Sequence, residues 1–486
     1  MSVSVKALGL WTNRRRGNSP PRENFPRTGE FRRPAIVLPD DKETAMAEID
    51  LSDPRLGRLI WRLGLPAMAG LSLNAAHQVA DAFFVGRLGA EALAVLALLA
   101  PVGGLTVALG VGLGTGAASA LARALGAGEP TEARRVAGTA LAAGGAVALL
   151  ALATLLASRD AALALLAMPD ALTGAARGYY PVLALTLGLG TVQIVCDFVA
   201  IGRGDSRFSL GTLALCFGLN ILLDPVFIFA LGLGLPGAAW ATLTAQLVTL
   251  AVWAGYFRAP ARRPLRGSPA LLARILRVGL PEAGSVAITT FGMMALLRLA
   301  AGIGGEAALA GFGIALRLVL VVTLPLEGFA IGAQPVLAHA FGAGQPERAG
   351  RALRRLVLVA CGVSGTLALG FALSAERLAG LMSRDPAVIA AASAALLCLA
   401  PALPAMALRV IAQICLQAMA RARMAAVLGL APMGWLLWPV LGLTLPRLGV
   451  TALPLSITLA ALGAALLAGA VLRRAAFPPA PVGAFG

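Results

Sequence analysis

Apolar runs of about twenty residues recur from Leu63 to Leu472, each closed by a short stretch rich in Arg, Gly and Pro. Twelve such segments can be counted, centred near Leu73, Val102, Gly145, Leu187, Leu219, Ala245, Thr289, Val322, Ala360, Pro401, Pro432 and Leu462. At about 1.5 Å of rise per residue, a helix of that length crosses a hydrocarbon core about 30 Å thick. Nothing alternates with period two over ten-residue units, and an open sheet would leave backbone groups unpaired in lipid. The pattern predicts an all-α polytopic membrane protein with twelve transmembrane helices.

The pattern also repeats, with two copies about 215 residues apart. Arg62-Leu-Gly-Leu-Pro66 matches Arg277-Val-Gly-Leu-Pro281, and Gly89-Ala-Glu91 matches Gly304-Gly-Glu306. Gly126-Ala-Gly128-Glu129-Pro130 matches Gly342-Ala-Gly344-Gln345-Pro346. Six helices per copy is an even number, so both copies enter the membrane the same way and form a parallel internal repeat. The expected domains are an N-lobe over 51–263 with helices 1–6 and a C-lobe over 264–474 with helices 7–12. They face each other across a central cavity. Residues 1–50, rich in Arg and Pro without apolar periodicity, are expected to be a disordered tail, and residues 475–486 a second tail. Both lysines, Lys6 and Lys42, fall in the first tail, which makes Met46 the expected true start.

Composition agrees: 58% of the 486 residues are apolar and 13% charged, against about a quarter charged in a soluble domain. The net charge of +17 raises a nucleic-acid partner, but residues 1–53 hold nine basic residues against eight acids, so the excess lies among the apolar runs. Arginines in alternate loops number twenty-two against seven, which puts both termini in the cytoplasm of an inner-membrane protein and leaves no nucleic-acid surface. The cysteines, Cys196, Cys216, Cys361, Cys398 and Cys415, lie inside apolar stretches without metal or disulfide spacing and read as small buried hydrophobes.

Acids within apolar runs cost about 2.5 to 3.5 kcal/mol at a helix centre, so each needs a reason. The candidates are Asp81, Asp197, Asp224, Glu282 and Glu327. Asp81 ends a stripe of Asn74, His77 and Gln78 with the spacing i, i+3, i+4, i+7, one helix face. That stripe must face the lobe interior or a wet cavity, and His77 is placed to bond Asp81 one turn on, as a satisfied interior group or a proton carrier. Asn220 and Asp224 share a face of the fifth helix, and Pro225 beside them frees a carbonyl. Glu282 follows Pro281 at a helix entrance, where solvent would reach it. In the second copy Leu296, Gly434 and Trp438 stand opposite Asp81, Asn220 and Asp224. The scaffold was duplicated without its carboxylates, so they mark a site rather than a requirement of the fold. Two carboxylates away from water share a proton or hold a cation between them. One charge crossing 100 mV gains about 2.3 kcal/mol, a bias of roughly fiftyfold.

The stretch Val79-Ala-Asp81-Ala-Phe-Phe-Val85-Gly86-Arg-Leu-Gly89 resembles the end of the first helix in the MATE multidrug exporters. Asn220-Ile-Leu-Leu-Asp224-Pro225 and Gly234-Leu-Pro-Gly237-Ala-Ala-Trp-Ala-Thr242 look like that family's fifth and sixth helices. The likeness spans about Leu51 to Arg474. It implies, through the archaeal and DinF-like branch, a proton or Na+ site at Asp81, Asn220, Asp224 and Thr242, with Pro66 as the hinge at which the first helix bends. In the NorM branch a seventh-helix glutamate adds a cation site in the other lobe; Thr289 stands there, with Glu282 and Glu327 as substitutes nearby.

The implied activity is secondary antiport of amphipathic, often cationic drugs or toxins against H+ or Na+, with no cofactor, by a monomer in contact with membrane lipid. Met68, Met293, Met294, Met406 and Met419 are candidate cavity-lining residues. The alternative is a flippase for lipid-linked saccharide precursors, whose pyrophosphate would need a strongly cationic cavity, whereas only Arg317 and Arg409 lie well within helices. A membrane enzyme would need a catalytic constellation, and two histidines 262 residues apart supply none.

Overall fold

A computed structural model describes residues 51–166, 168 and 170–475. The tail expected over 1–50, the start expected at Met46 and the end of the chain from residue 476 lie outside these. No strand occurs among the described residues. The helices are α1 (Leu56–Gly86), α2 (Ala90–Gly126), α3 (Pro130–Ala157), the short α4 (Arg159–Leu165), α5 (Asp170–Gly202), α6 (Ser206–Pro225) and α7 (Leu235–Tyr256) in the first half. The second half has α8 (Pro269–Gly305), α9 (Ala307–Gly342), α10 (Pro346–Met382), α11 (Pro386–Leu399), α12 (Ala402–Ala418), α13 (Ala422–Gly429), α14 (Leu437–Leu448) and α15 (Ala452–Ala475).

By length and apolarity, nine described stretches can cross a membrane, or ten when α11 and α12, bent by 46° at Pro401, are joined. The run from Ala422 to Arg473 counts once in that tally. Gly449 turns the chain inside it at φ 54° and α14 packs back on α15, making two crossings. The remaining crossing is α1, whose apolar run is interrupted by Asn74, His77, Gln78 and Asp81. The result is the expected set of twelve.

The repeated Gly-x-Gly-x-Pro punctuation has a mechanical cause. Gly128 (φ 76°) and Gly344 (φ 66°) sit in the left-handed region just past α2 and α9. Their N–H groups bond Leu125 O at 3.1 Å and Phe341 O at 3.2 Å, closing the helix ends, and Pro130 and Pro346 open the next helices. A similar turn follows α5 at Gly204 (φ 89°), but its counterpart after α12 is Ala420 (φ 56°), alone among the described non-glycine residues in having a positive φ. The left-handed region costs an L-residue about 1 to 2 kcal/mol, so Ala420→Gly should stabilise the protein by about 1 kcal/mol. Thermal unfolding in detergent should show a higher midpoint; an unchanged or lower one refutes the strain.

The two halves meet along a seam on the side of the basic loops. Leu56, Leu59 and Leu63 of α1 share one apolar core with Phe329 and Val336 of α9 and Leu356 of α10. Backbones approach where glycine allows it. A Cβ on Gly126 would strike the carbonyl of His339, and one on Gly342 the carbonyl of Arg123, an exchange related by the repeat. Gly112 would meet the Gly279 carbonyl at 2.7 Å, and its counterpart Gly328 the Ala67 carbonyl at 2.7 Å. Close packing continues up to Gly104, which faces the side chain of Thr290. Beyond them, α8 and α9 alone line an open cleft of about 650 Å³ holding Met293, Leu297 and Arg317. The linker between the halves is pinned: Arg134 Nε donates to Arg263 O at 2.8 Å, and Arg203 donates to Ala261 O at 3.2 Å.

Candidate functional site

In the first half, α6 and α7 bring Asn220, Asp224 and Thr242 together. The buried Asn220 donates through Nδ2 to Asp224 Oδ1 at 3.3 Å and to Thr242 Oγ1 at 3.0 Å. Thr242 in turn donates to Ala238 O at 3.0 Å, the usual way a helical threonine disposes of its hydroxyl proton. The four-residue spacing puts Asn220 and Asp224 on one face. Pro225 then supplies no N–H, and the helix slackens into a π turn over Val226–Ala230, so the chain turns directly below the carboxylate.

The arrangement leaves Asn220 Oδ1 and Asp224 Oδ2 buried with no hydrogen-bond partner. Asp81 of α1 lies within electrostatic reach of Asp224, and both act on the buried Tyr179 of α5. Two acceptor oxygens without donors, beside a second carboxylate, form a niche with no positive charge bonded to it among the described residues. Buried acceptors left in that state cost about 1 to 3 kcal/mol each, so a proton or cation that satisfies them gains correspondingly.

The rest of the α1 stripe is arranged differently from the expectation. His77 stacks on Phe217 of α6, ring centres 4.8 Å apart, and among the described residues no hydrogen bond joins it to Asp81. Gln78 donates to Asn74 at 2.7 Å, so these two satisfy each other. Pro66 lies inside α1 among residues pinned in the seam, Leu63 before it and Ala67 after it, and the polar stripe begins further on at Asn74. Asp197 accepts from Ser209 at 2.9 Å and Thr212 at 3.3 Å, both on α6. It ties α5 to α6.

The repeat-related positions of the second half carry no such niche. Leu296 is buried in an apolar core with Phe312, Leu437 and Leu453. Instead a polar chain runs between α8, α9 and α12. Glu282, expected at a solvated helix entrance, accepts from the side-chain amides of Gln413 and Gln417 in the bundle interior, because Pro281 lies inside α8 and not at its start. Gln413 accepts from Arg409, and Gln334 donates to Gln417 at 3.2 Å. The Gln417 carbonyl is held from the other half by Ser119 at 2.8 Å and by Arg123 at 3.2 Å. Thr289 spends its hydroxyl on Ser285 O at 2.8 Å but lines the cavities beside this chain, as does Glu327. Of the five methionines singled out, Met293 and Met406 line a cavity of about 230 Å³ there, while Met68 and Met419 pack against the seam core. Sequence reasoning missed the three glutamines. The spacing of Arg409, Gln413 and Gln417 by four, one face of one helix, was the available signal.

The MatE family model matches residues 66–226 and 281–439, once in each half. A relative from Shewanella oneidensis called FAD transporter is 28% identical, covering 70% of this chain and 77% of its own. The multidrug export protein MepA of Staphylococcus aureus is 24% identical, with 68% and 75% covered. Among solved structures, a MOP superfamily transporter from Pyrococcus furiosus superposes with a TM-score of 0.83 at 26% identity, covering 89% of this chain and 99% of that one. A MATE solved in a bent conformation gives a TM-score of 0.81 at 26% identity, with 87% and 95% covered.

Proposed function

The chain belongs to the MatE family of multi-pass membrane transporters, not enzymes, and from that premise we propose that it exports amphipathic, often cationic organic compounds in exchange for H+ or Na+. The observation carrying the coupling is the niche at Asn220, Asp224 and Thr242, whose two oxygens lack donors beside Asp81. Loading that niche neutralises the repulsion between Asp81 and Asp224, and emptying it restores the repulsion. A lobe rearrangement that depends on the distance between α1 and α6 is thereby tied to the ion gradient. Pro66 is the hinge in this reading: its ring removes one backbone hydrogen bond of α1, which makes bending there inexpensive. The protein works as a monomer in the inner membrane with both termini cytoplasmic, and the drug or toxin crosses between the halves.

Cargo rich in phosphate, such as a lipid-linked saccharide or a dinucleotide, is the second reading, and the Shewanella oneidensis relative gives it a basis. Against it stands Arg409, already faced by Glu282 and Glu327, which leaves Arg317 as the cation in the open cleft. Uptake into everted vesicles with proton and sodium gradients imposed separately tests both readings. A fluorescent organic cation should accumulate under one gradient, with flavin dinucleotide failing to compete. Uptake of the cation under neither gradient, or competition by the dinucleotide, overturns the antiport of organic cations.

A further inference from the structure

Two opposite charges of the second half, Glu327 and Arg409, lie within electrostatic reach of each other without forming an ion pair, and they line the same space. Glu327 of α9 has no hydrogen bond or ion pair among the described residues. Arg409 of α12 gives one nitrogen to Gln413, while its Nε is buried without an acceptor. Both border two adjacent cavities of about 230 and 210 Å³ inside the second half. Glu282 does not compete for Arg409 by direct contact, because its carboxylate is held by Gln413 and Gln417. The larger cavity is otherwise walled by Thr289, Thr323 and mainly aliphatic and methionine side chains such as Leu316, Met293, Met406 and Met433.

A carboxylate and a guanidinium lining one cavity present opposite charges to whatever fills it. An isolated cation would satisfy Glu327 and leave Arg409 as before, and an anion would do the reverse. A molecule bearing both charges, with an apolar body against the methionines, satisfies the two together. We propose that this cavity is a binding site for zwitterionic amphipathic solutes, the positive group on Glu327 and the negative group on Arg409. The proposal deepens the export reading by naming a substrate class, and it places recognition in the half that lacks the coupling carboxylates.

The test is direct binding to the purified protein in lipid nanodiscs, using three probes of matched size: N-butyl-N,N-dimethylglycine, butyl(isobutyl)dimethylammonium and 3,3-dimethylheptanoate. The zwitterion should bind at least tenfold tighter than either single-charge analogue. Arg409→Gln should erase the advantage over the cation while leaving cation binding intact, and Glu327→Gln should erase the advantage over the carboxylate probe. Arg409→Lys, which keeps the charge, should retain most of the preference and shows that a loss in Arg409→Gln is not misfolding. Equal binding of the three probes by the wild type, or a zwitterion preference that survives both neutralising variants, overturns the site. Binding is read at equilibrium with no gradient imposed, so failure here is separate from failure of the antiport reading, which is judged by gradient-driven uptake.

Discussion

Asp81→Asn and Asp224→Asn should each reduce gradient-driven uptake at least a hundredfold, to the level of empty vesicles, while the folded protein is retained. The amide is nearly isosteric with the carboxyl, and an asparagine at 224 still offers an oxygen to the Asn220 amide, now 3.3 Å from Asp224 Oδ1. What it lacks is a charge that a proton or sodium ion can cancel, and without that change the gradient has nothing to act on. The second half supports the claim that folding survives, since Leu296 fills the position of Asp81 inside a continuous apolar core. The measurements are uptake in everted vesicles and a thermal midpoint in detergent. Normal transport by both variants would place the coupling group elsewhere, and a collapsed midpoint would make the carboxylates structural.

The second large effect is expected at the seam. Gly126→Val and Gly342→Val put a branched side chain where a carbonyl of the opposite half already lies. The atom in the way is backbone, so no side chain can swing aside, and overpacking of this kind costs about 1 to 3 kcal/mol. Because the obstructed contact exists only when the halves are closed on the basic side, the penalty falls on that state alone. At 1.4 kcal/mol per factor of ten, closure should weaken by roughly ten- to a hundredfold in each variant. Ser119 reports it: its hydroxyl now donates across the seam to Gln417 O at 2.8 Å. In a Ser119→Cys background, labelling by a polar maleimide should accelerate at least tenfold when Gly126→Val is added, with a matching drop in transport. Unchanged labelling would mean that the seam does not close the pathway.

Much of this architecture was legible because lipid imposes so few solutions. Once backbone groups must be satisfied within each segment, apolar runs of about twenty residues can only be helices, and the repeat then fixed the pairing of the halves. What the pattern could not convey was interruption. The bend at Pro401 and the π turn after Pro225 depend on local backbone bonding rather than on apolarity. Asn220, Asp224 and Thr242 meet as their shared helix face and the family resemblance implied. His77 does not follow, because spacing of i to i+4 permits a bond to Asp81 while the ring of Phe217 on a neighbouring helix offers stacking instead. Glu282 was misplaced for a related reason. A proline marks a helix start only when its missing N–H would have been unsatisfied anyway, and Pro281 lies twelve residues into α8. Its glutamine partners come from α12, more than 130 positions away in the chain, beyond what periodicity can report.

The placement of Pro66 within α1 also sets a scale. Leu63 before it and Ala67 just after it are clamped by Gly332 and Gly328, so the anchored base reaches one residue past the proline. Above it, fifteen residues separate the proline from Asp81, an arm of about 22 Å. A kink of about 20° would sweep the tip through about 8 Å. That leverage turns a modest change of angle into a displacement as long as a large side chain, enough to carry one carboxylate out of the other's field.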